Sequence, residues 1–209
     1  MNKKNLILIG AGGHSAACID VIEQQKKFKV AGLVGLDNEL NNYQLNTKVI
    51  GTDGDLPKLA EQYEYAAITL GQISTPEHRI RLYHKILELG FKLPTIVAPS
   101  AYVSPHAKIG AGTIIMHGAI INAGVKIGVN CIINNRALIE HDVMLGDHCH
   151  VSTGAIVNGA VIIGDGCFIG SGSAIKEGIS IGRNSLIGMG LTVRHDVKDL
   201  SHYTGLGSL

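Results

Sequence analysis

Val103-Ser-Pro-His-Ala-Lys-Ile109-Gly-Ala-Gly-Thr-Ile-Ile115-Met-His-Gly-Ala-Ile-Ile121 begins a pattern that runs unbroken to Val193. Every sixth residue is aliphatic: after Ile121 come Ile127, Ile133, Ile139, Leu145, Val151, Val157, Ile163, Ile169, Ile175, Ile181, Ile187 and Val193. A fixed short period of this kind marks a solenoid, and a six-residue period marks a hexapeptide β-helix. A second register lies four residues after each aliphatic. It holds Ala107, Thr113, Ala119, Val125, Cys131, Ala137, Val143, Cys149, Ala155, Val161, Cys167 and Ser173, all small or β-branched, as a narrow interior requires. Three hexapeptides make one triangular coil, so residues three repeats apart should stack at about one strand spacing, roughly 4.8 Å. Glycine follows the aliphatic at Gly110, Gly128, Gly146, Gly164, Gly170, Gly182 and Gly188. The expectation is that the corners need unusual backbone angles there.

Outward from the solenoid, the first 95 residues alternate between strand and helix patterns. Strands are expected at Lys4–Ile9, Lys29–Val34 and Ala66–Leu70, with a strand or extended loop over Leu45–Ile50. Helices are expected from the Gly10–Ser15 turn to about Gln25, over Asp55–Gln62 with Asp53 or Asp55 as cap, and over Thr75–Gly90. In the last, Thr75 would cap, Pro76 would take the first position and Gly90 would end the helix. Alternation of this kind predicts a small parallel α/β sheet, Rossmann-like in its first turn. The chain thus divides into an α/β domain, residues 1–95, and an all-β parallel β-helix, residues 96–209.

Composition narrows the function. The chain has 209 residues, a net charge of +1, 17% charged residues and 4% aromatics without Trp, so neither a nucleic-acid surface nor a base-stacking platform is expected. The opening MNKKNLILIGAGG has an apolar core of only Leu6–Ile9, too short for a signal peptide, and no other apolar run reaches membrane-spanning length. A soluble, cytoplasmic protein with no membrane insertion is the expectation. Cys131, Cys149 and Cys167 recur once per coil in one column. They read as small inward residues with inert thiols rather than a metal site or a disulfide.

Two stretches carry chemistry. Gly10-Ala-Gly-Gly-His-Ser15 follows a strand and opens a helix, where backbone N–H groups can hold a phosphate. Gly10 and Gly12 match the first two glycines of the dinucleotide pattern, Ser15 replaces the third, and Asp37 lies near the end of the second strand. A sheet this small lacks the second mononucleotide half, which argues against NAD. The second stretch is Asn134-Asn-Arg-Ala-Leu-Ile-Glu-His141-Asp142-Val-Met-Leu-Gly-Asp-His-Cys-His150-Val-Ser152-Thr-Gly154. His141 falls two residues past Ile139, at a coil corner and facing outward. Its column reads Ala123, His141, Gly159, Glu177, His195, which should leave open space around the imidazole. Histidine is suited to take a proton from an attacking amine or hydroxyl near neutral pH. Asp142 can fix its tautomer only if the pair sits at a corner, since strand neighbours face opposite ways.

These motifs (GAGGH, the Asp after the second strand, the unbroken hexapeptides, and Glu-His-Asp followed by His-Val-Ser-Thr-Gly) resemble the hexapeptide-repeat nucleotide-sugar acetyltransferases of bacterial glycan synthesis. Members N-acetylate 4-amino-4,6-dideoxy sugar nucleotides in bacillosamine, perosamine and viosamine pathways, and a sibling group O-acetylates sialic acid. The resemblance implies a left-handed β-helix, acetyl-CoA as co-substrate, no metal, and a homotrimer with sites between subunits. It implies His141 as general base held by Asp142. It implies acetyl-CoA contacts at His150, Ser152, Gly154, Gly172 and Lys176, and nucleotide-sugar contacts at Gly12, Gly13, His14, Asp37, Asn38 and Asn134. The ending Gly205-Leu-Gly-Ser-Leu209 departs from the family's G-x-P-A-K/R loop. Three other readings compete. Sialic acid O-acetylation would use the same base. A zinc site of the γ-carbonic anhydrase kind fails on spacing, because Gly146 stands where its third histidine would be and Thr153 stands where His117 would need a partner. A trimerisation scaffold explains the period but not the outward His, Asp and Asn of one coil.

Overall fold

The computed structural model describes residues 3–204. The chain end at 205–209, with its departure from the family ending, lies outside the described residues. The α/β part contains β1 (Lys4–Ile9), α1 (Gly13–Gln25), β2 (Phe28–Gly35), β3 (Tyr43–Gln44), β4 (Thr47–Thr52), α2 (Leu56–Ala60), β5 (Tyr65–Ile68) and α3 (Glu77–Glu88). The sheet order is β3-β4-β2-β1-β5, parallel throughout except for the short β3–β4 hairpin. The ambiguous 45–50 stretch is therefore a genuine parallel strand shifted by two residues, and β3 is a strand the pattern did not show. Asp55 precedes α2 but does not cap it with its side chain. Its carboxylate instead accepts from the Thr52 amide at 2.8 Å and the Thr52 hydroxyl at 3.0 Å. In α3, Thr75 Oγ1 accepts from the Glu77 amide at 3.3 Å, and Gly90 takes the left-handed conformation at the other end (φ +85°).

β1 is buried on both faces, so its residues sort by the strand's period of two. Leu6 and Leu8 pack with Cys18, Ile19 and Ile22 of α1 and with Ile96, Ile114 and Met116 of the β-helix. Ile7 and Ile9 pack with Leu56, Leu82 and Ile86 of α2 and α3. One side of the sheet thus rests on α1 and the solenoid together, which fixes the glycine turn against the first coils.

From Ile96 onward the chain forms three parallel sheets of seven, six and five two-residue strands. Partners follow the expected stacking, as in Ile121↔Ile139↔Val157↔Ile175↔Val193. The aliphatic ladder is buried from Ile115 onward, and the second register fills the interior beside it. Cys131, Cys149 and Cys167 are free and fully buried.

The glycine expectation needs correction. The left-handed conformation recurs at every sixth position from Gly112 to Gly190, three residues after each aliphatic, and is occupied by Gly, Asn130, Arg136, Asp142, His148, Ala160 or Asn184. Gly110 and Gly170 are not among these positions. A Cβ at Gly170 would stand 2.5 Å from the carbonyl carbon of Gly188 in the next coil. Glycine after the aliphatic therefore serves close stacking of corners, not backbone angle.

The α/β part is joined to the solenoid by polar groups. Gln72 donates to Gly166 O at 3.2 Å, and its carbonyl accepts the Nδ1–H of His150 at 2.8 Å. Burial pushes the His150 imidazole down to about 4 and, helped by the neighbouring His150 and Arg79, that of His14 down to about 4 as well. Both imidazoles regain a pKa near 6.5 on unfolding, so the unfolded chain binds more protons between pH 6.5 and 4. Stability should be flat above pH 6.5 and should fall below it, by up to about 1.4 kcal/mol per pH unit for each histidine, until pH 4. Urea midpoints at pH 7.5, 5.5 and 4.5 measure this. A midpoint unchanged down to pH 4.5 would contradict it.

Candidate active site

The solenoid corner after Leu138–Ile139 carries Glu140, His141 and Asp142. Asp142 occupies the left-handed position (φ +61°), which turns its side chain onto the same side as its neighbour. His141 Nδ1 and Asp142 Oδ2 lie 3.0 Å apart. The corner geometry thus makes the pair that a flat strand would have split. Both side chains remain exposed, at 65% and 68%. With Nδ1–H given to the carboxylate, Nε2 carries the lone pair and has no hydrogen-bond partner among the described residues.

Each member of the pair fills a space that a glycine leaves. Asp142 Oδ1 sits where a Cβ on Gly124 would be. A Cβ on Gly159 would stand 2.7 Å from both Cε1 and Nε2 of His141. The expected open space above the imidazole is thus occupied by the ring itself. Gly159 has no left-handed backbone requirement, so alanine should fold there, but the ring must swing aside. Gly159→Ala is expected to lower kcat by 10- to 100-fold with the melting temperature little changed, because small displacements of a reacting group cost rate rather than stability. A variant with wild-type kcat would show that the ring position is not critical.

His141 opens onto a groove of about 460 Å³ bordered by Glu140, Asn158, Gly159, Ala160 and Glu177. Glu140 is held by Asn122 Nδ2 at 2.9 Å, and Asn158 donates its amide to Ile175 O at 2.6 Å.

The other expected contacts lie elsewhere. His150 is buried on the sheet that faces the α/β part, with Asn134 Nδ2 3.3 Å from its Nε2 and Phe168 edge-on at 5.2 Å. Ser152 is buried, its hydroxyl 2.8 Å from that of Ser171. Gly154 and Gly172 occupy left-handed corner positions, and their amides donate to Asn135 O and Thr153 O, each at 2.9 Å. Those two amides are therefore not free for a ligand. The amides of Thr153 and Ser171, at that same corner, donate no hydrogen bond among the described residues. Lys176 is exposed and shares a column with Glu140 and Asn158. In one chain the His141 corner and the His150–Gly154 corner are separated by the strands at Leu138–Ile139 and Ile156–Val157.

The glycine turn lines a second cavity of about 230 Å³. Gly10, Gly12, Gly35, Glu39, Asp53 and His78 contribute, above an apolar floor that includes Ile9, Val34 and Leu70. Gly10 is required there, with φ +122° and Leu70 N 3.1 Å from where a Cβ would sit. Of the residues expected to hold a nucleotide, Gly12 lines this cavity, while Gly13, Asp37 and Asn38 do not. His14 points away, its Nε2 3.6 Å from Cys18 Sγ. Glu39, Asp53 and His78 were not legible in the sequence. They converge from three segments, and Glu39 is turned inward by accepting the Leu36 amide at 2.8 Å.

Among the described residues, no group of three or more His, Cys, Asp or Glu could hold a metal ion, and no helix is long and apolar enough to cross a membrane.

Residues 5–86 match the family described as PglD N-terminal domain, and residues 160–194 match the hexapeptide repeat of succinyl-transferase. No match was found among curated proteins. Among solved structures, a histidine-to-asparagine mutant of perosamine N-acetyltransferase from Caulobacter crescentus, in complex with CoA and GDP-perosamine, is 30% identical. The match covers 98% of this chain and 95% of that one, with a TM-score of 0.91. The acetyltransferase domain of PglB from Neisseria gonorrhoeae FA1090, in complex with acetyl coenzyme A, is 28% identical over 100% of this chain and 99% of that one, with a TM-score of 0.90. WeeI from Acinetobacter baumannii AYE, at 21% identity and a TM-score of 0.85, shares the fold. With an α/β domain followed by a parallel β-helix, and with near-complete coverage at 30% identity, the chain belongs to the PglD-type hexapeptide-repeat acetyltransferases.

Proposed function

We propose that the protein transfers the acetyl group of acetyl-CoA to the 4-amino group of a nucleotide-linked 4-amino-4,6-dideoxy sugar, in bacterial glycan synthesis and in the cytoplasm. The observation that carries this is the His141–Asp142 pair, with Nδ1–H fixed by the carboxylate and Nε2 facing an open groove. The relatives solved with CoA, acetyl-CoA or GDP-perosamine support the choice of donor and acceptor class.

In this reading Nε2 takes a proton from the amine as the nitrogen attacks the thioester carbonyl. The tetrahedral intermediate collapses with loss of the CoA thiolate, and the proton on His141 returns to that sulfur. The unengaged amides of Thr153 and Ser171 are the candidate oxyanion donors. Because that corner and the His141 corner are separated in one chain, the complete site lies between subunits of a homotrimer. Residues 1–95 hold the nucleotide in the cavity at Gly10, Gly12, Glu39, Asp53 and His78. Residues 96–209 carry the transfer site, with Lys176 on the acetyl-CoA side and His150 joining the solenoid to the α/β part.

The test is thiol release from acetyl-CoA with UDP-, GDP- and dTDP-linked 4-amino-4,6-dideoxy sugars, beside free sialic acid and CMP-sialic acid. Turnover with one amino sugar is expected. Turnover with a sialic acid alone would move the protein to O-acetylation, and no turnover with any acceptor would overturn the assignment.

A further inference from the structure

Glu177 stands in the same corner column as His141, two coils along, with Gly159 between them. Since Gly159 has no side chain, the imidazole leans across it, with Nε2 2.7 Å from where a Gly159 Cβ would be. The base therefore reaches toward the coil that carries Glu177. Glu177 and Glu140 both border the groove, and Asp142 adds a third carboxylate behind the ring. No lysine or arginine is among the residues bordering the groove. Glu140 is tied to Asn122, whereas Glu177 forms no ion pair among the described residues. Lys176 is next to Glu177 in the chain, and His195 follows in the column between Arg194 and Asp196; none of these four borders the groove.

We propose that Glu177 is a specificity-determining residue that selects an acceptor whose reacting group is cationic, holding the sugar's ammonium group at the mouth of the groove; the ammonium loses its first proton to solvent, and the neutral amine gives its second to His141 as it attacks. This inference rests on the acetyl-transfer reading given above and deepens it by assigning recognition of the acceptor's amino group to a residue. A carboxylate beside an amine favours its protonated form, which aids capture and opposes deprotonation. The two effects fall on different constants. Capture appears in KM, and any relief of deprotonation appears in kcat. The same carboxylates repel an acceptor that carries a carboxylate of its own, such as sialic acid.

The experiment compares wild type, Glu177→Gln and Glu177→Lys, using whichever nucleotide-linked 4-amino sugar the wild type turns over and free sialic acid as the anionic probe. Glu177 is exposed, so both variants should fold, which circular dichroism checks. For Glu177→Gln, KM for the amino sugar should rise about 3- to 10-fold while kcat holds or rises, a range set by an exposed charge pair in water. Wild-type KM should increase between 50 mM and 500 mM salt, and the Gln variant should lose most of that dependence. Glu177→Lys should raise KM further. Unchanged KM and unchanged salt dependence in the Gln variant would overturn the role of Glu177 and leave the proposed reaction standing. A wild type that acetylates no amino sugar would overturn the proposed reaction, and this inference with it.

Discussion

Replacing His141 with asparagine is expected to lower turnover by about 10²–10⁴-fold while leaving the fold intact. Asparagine keeps a polar side chain at the corner but has no lone pair able to accept and hold a proton near neutral pH. The rate loss follows from chemistry alone, because the imidazole contributes little to structure. It is 65% exposed, its hydrogen bond is to the equally exposed Asp142, and it lies against a glycine. Stability should therefore change by no more than about 0.5 kcal/mol. Thiol release at saturating acetyl-CoA and acceptor measures the first part, and a urea titration the second. Full activity in the variant would place the base elsewhere in the molecule. A large loss of stability would mean that the rate effect reports folding.

What the sequence made legible follows from how local each feature is. Each solenoid coil buries only its own aliphatics and those of its two neighbours, so a six-residue period states the fold almost completely. The His141–Asp142 pair was readable for the same reason: counting from Ile139 places it at a corner, and the corner turns both side chains one way. The glycines were misread because two different demands, close stacking at Gly170 and a left-handed backbone at Gly172, recur within the same hexapeptide. The lining of the second cavity was not readable, because Glu39, Asp53 and His78 meet only once β2, β4 and α3 are assembled. His150 shows the limit most clearly. Its motif pointed to a ligand contact, but in this structure its Nδ1–H goes to the carbonyl of Gln72, far away in sequence, and burial keeps it neutral.

Arg79 is a residue that no local pattern singled out, and removing it should have the largest effect on stability. It lies on α3 and is only 2% exposed. Its guanidinium donates to Leu70 O, and to both the carbonyl (2.7 Å) and the side-chain oxygen (2.9 Å) of Asn130 on a solenoid corner. No carboxylate pairs with it among the described residues, and burial pushes it down to about 10, so it remains charged at neutral pH. Its charge is balanced by carbonyl dipoles alone, and those oxygens belong to two different parts of the chain. Arg79→Leu would leave three acceptors without donors, the two on Asn130 buried and each worth about 1–3 kcal/mol when unsatisfied, while relieving the desolvation of an unpaired cation. Two of the three acceptors are backbone carbonyls, the Asn130 corner being left-handed (φ +52°), and cannot turn to find other partners. The net expectation is a loss of about 3–5 kcal/mol by urea unfolding. Arg79→Lys should recover part of this, because one ammonium can reach some but not all of the three oxygens. The loss should fall mainly on the contact between α3 and the solenoid. Amide exchange should therefore quicken first in α3 and at Asn130, while the ladder from Ile133 to Val193 stays protected. A leucine variant as stable as wild type would show that these oxygens find other donors, and that the α/β part is held to the solenoid by its apolar contacts alone.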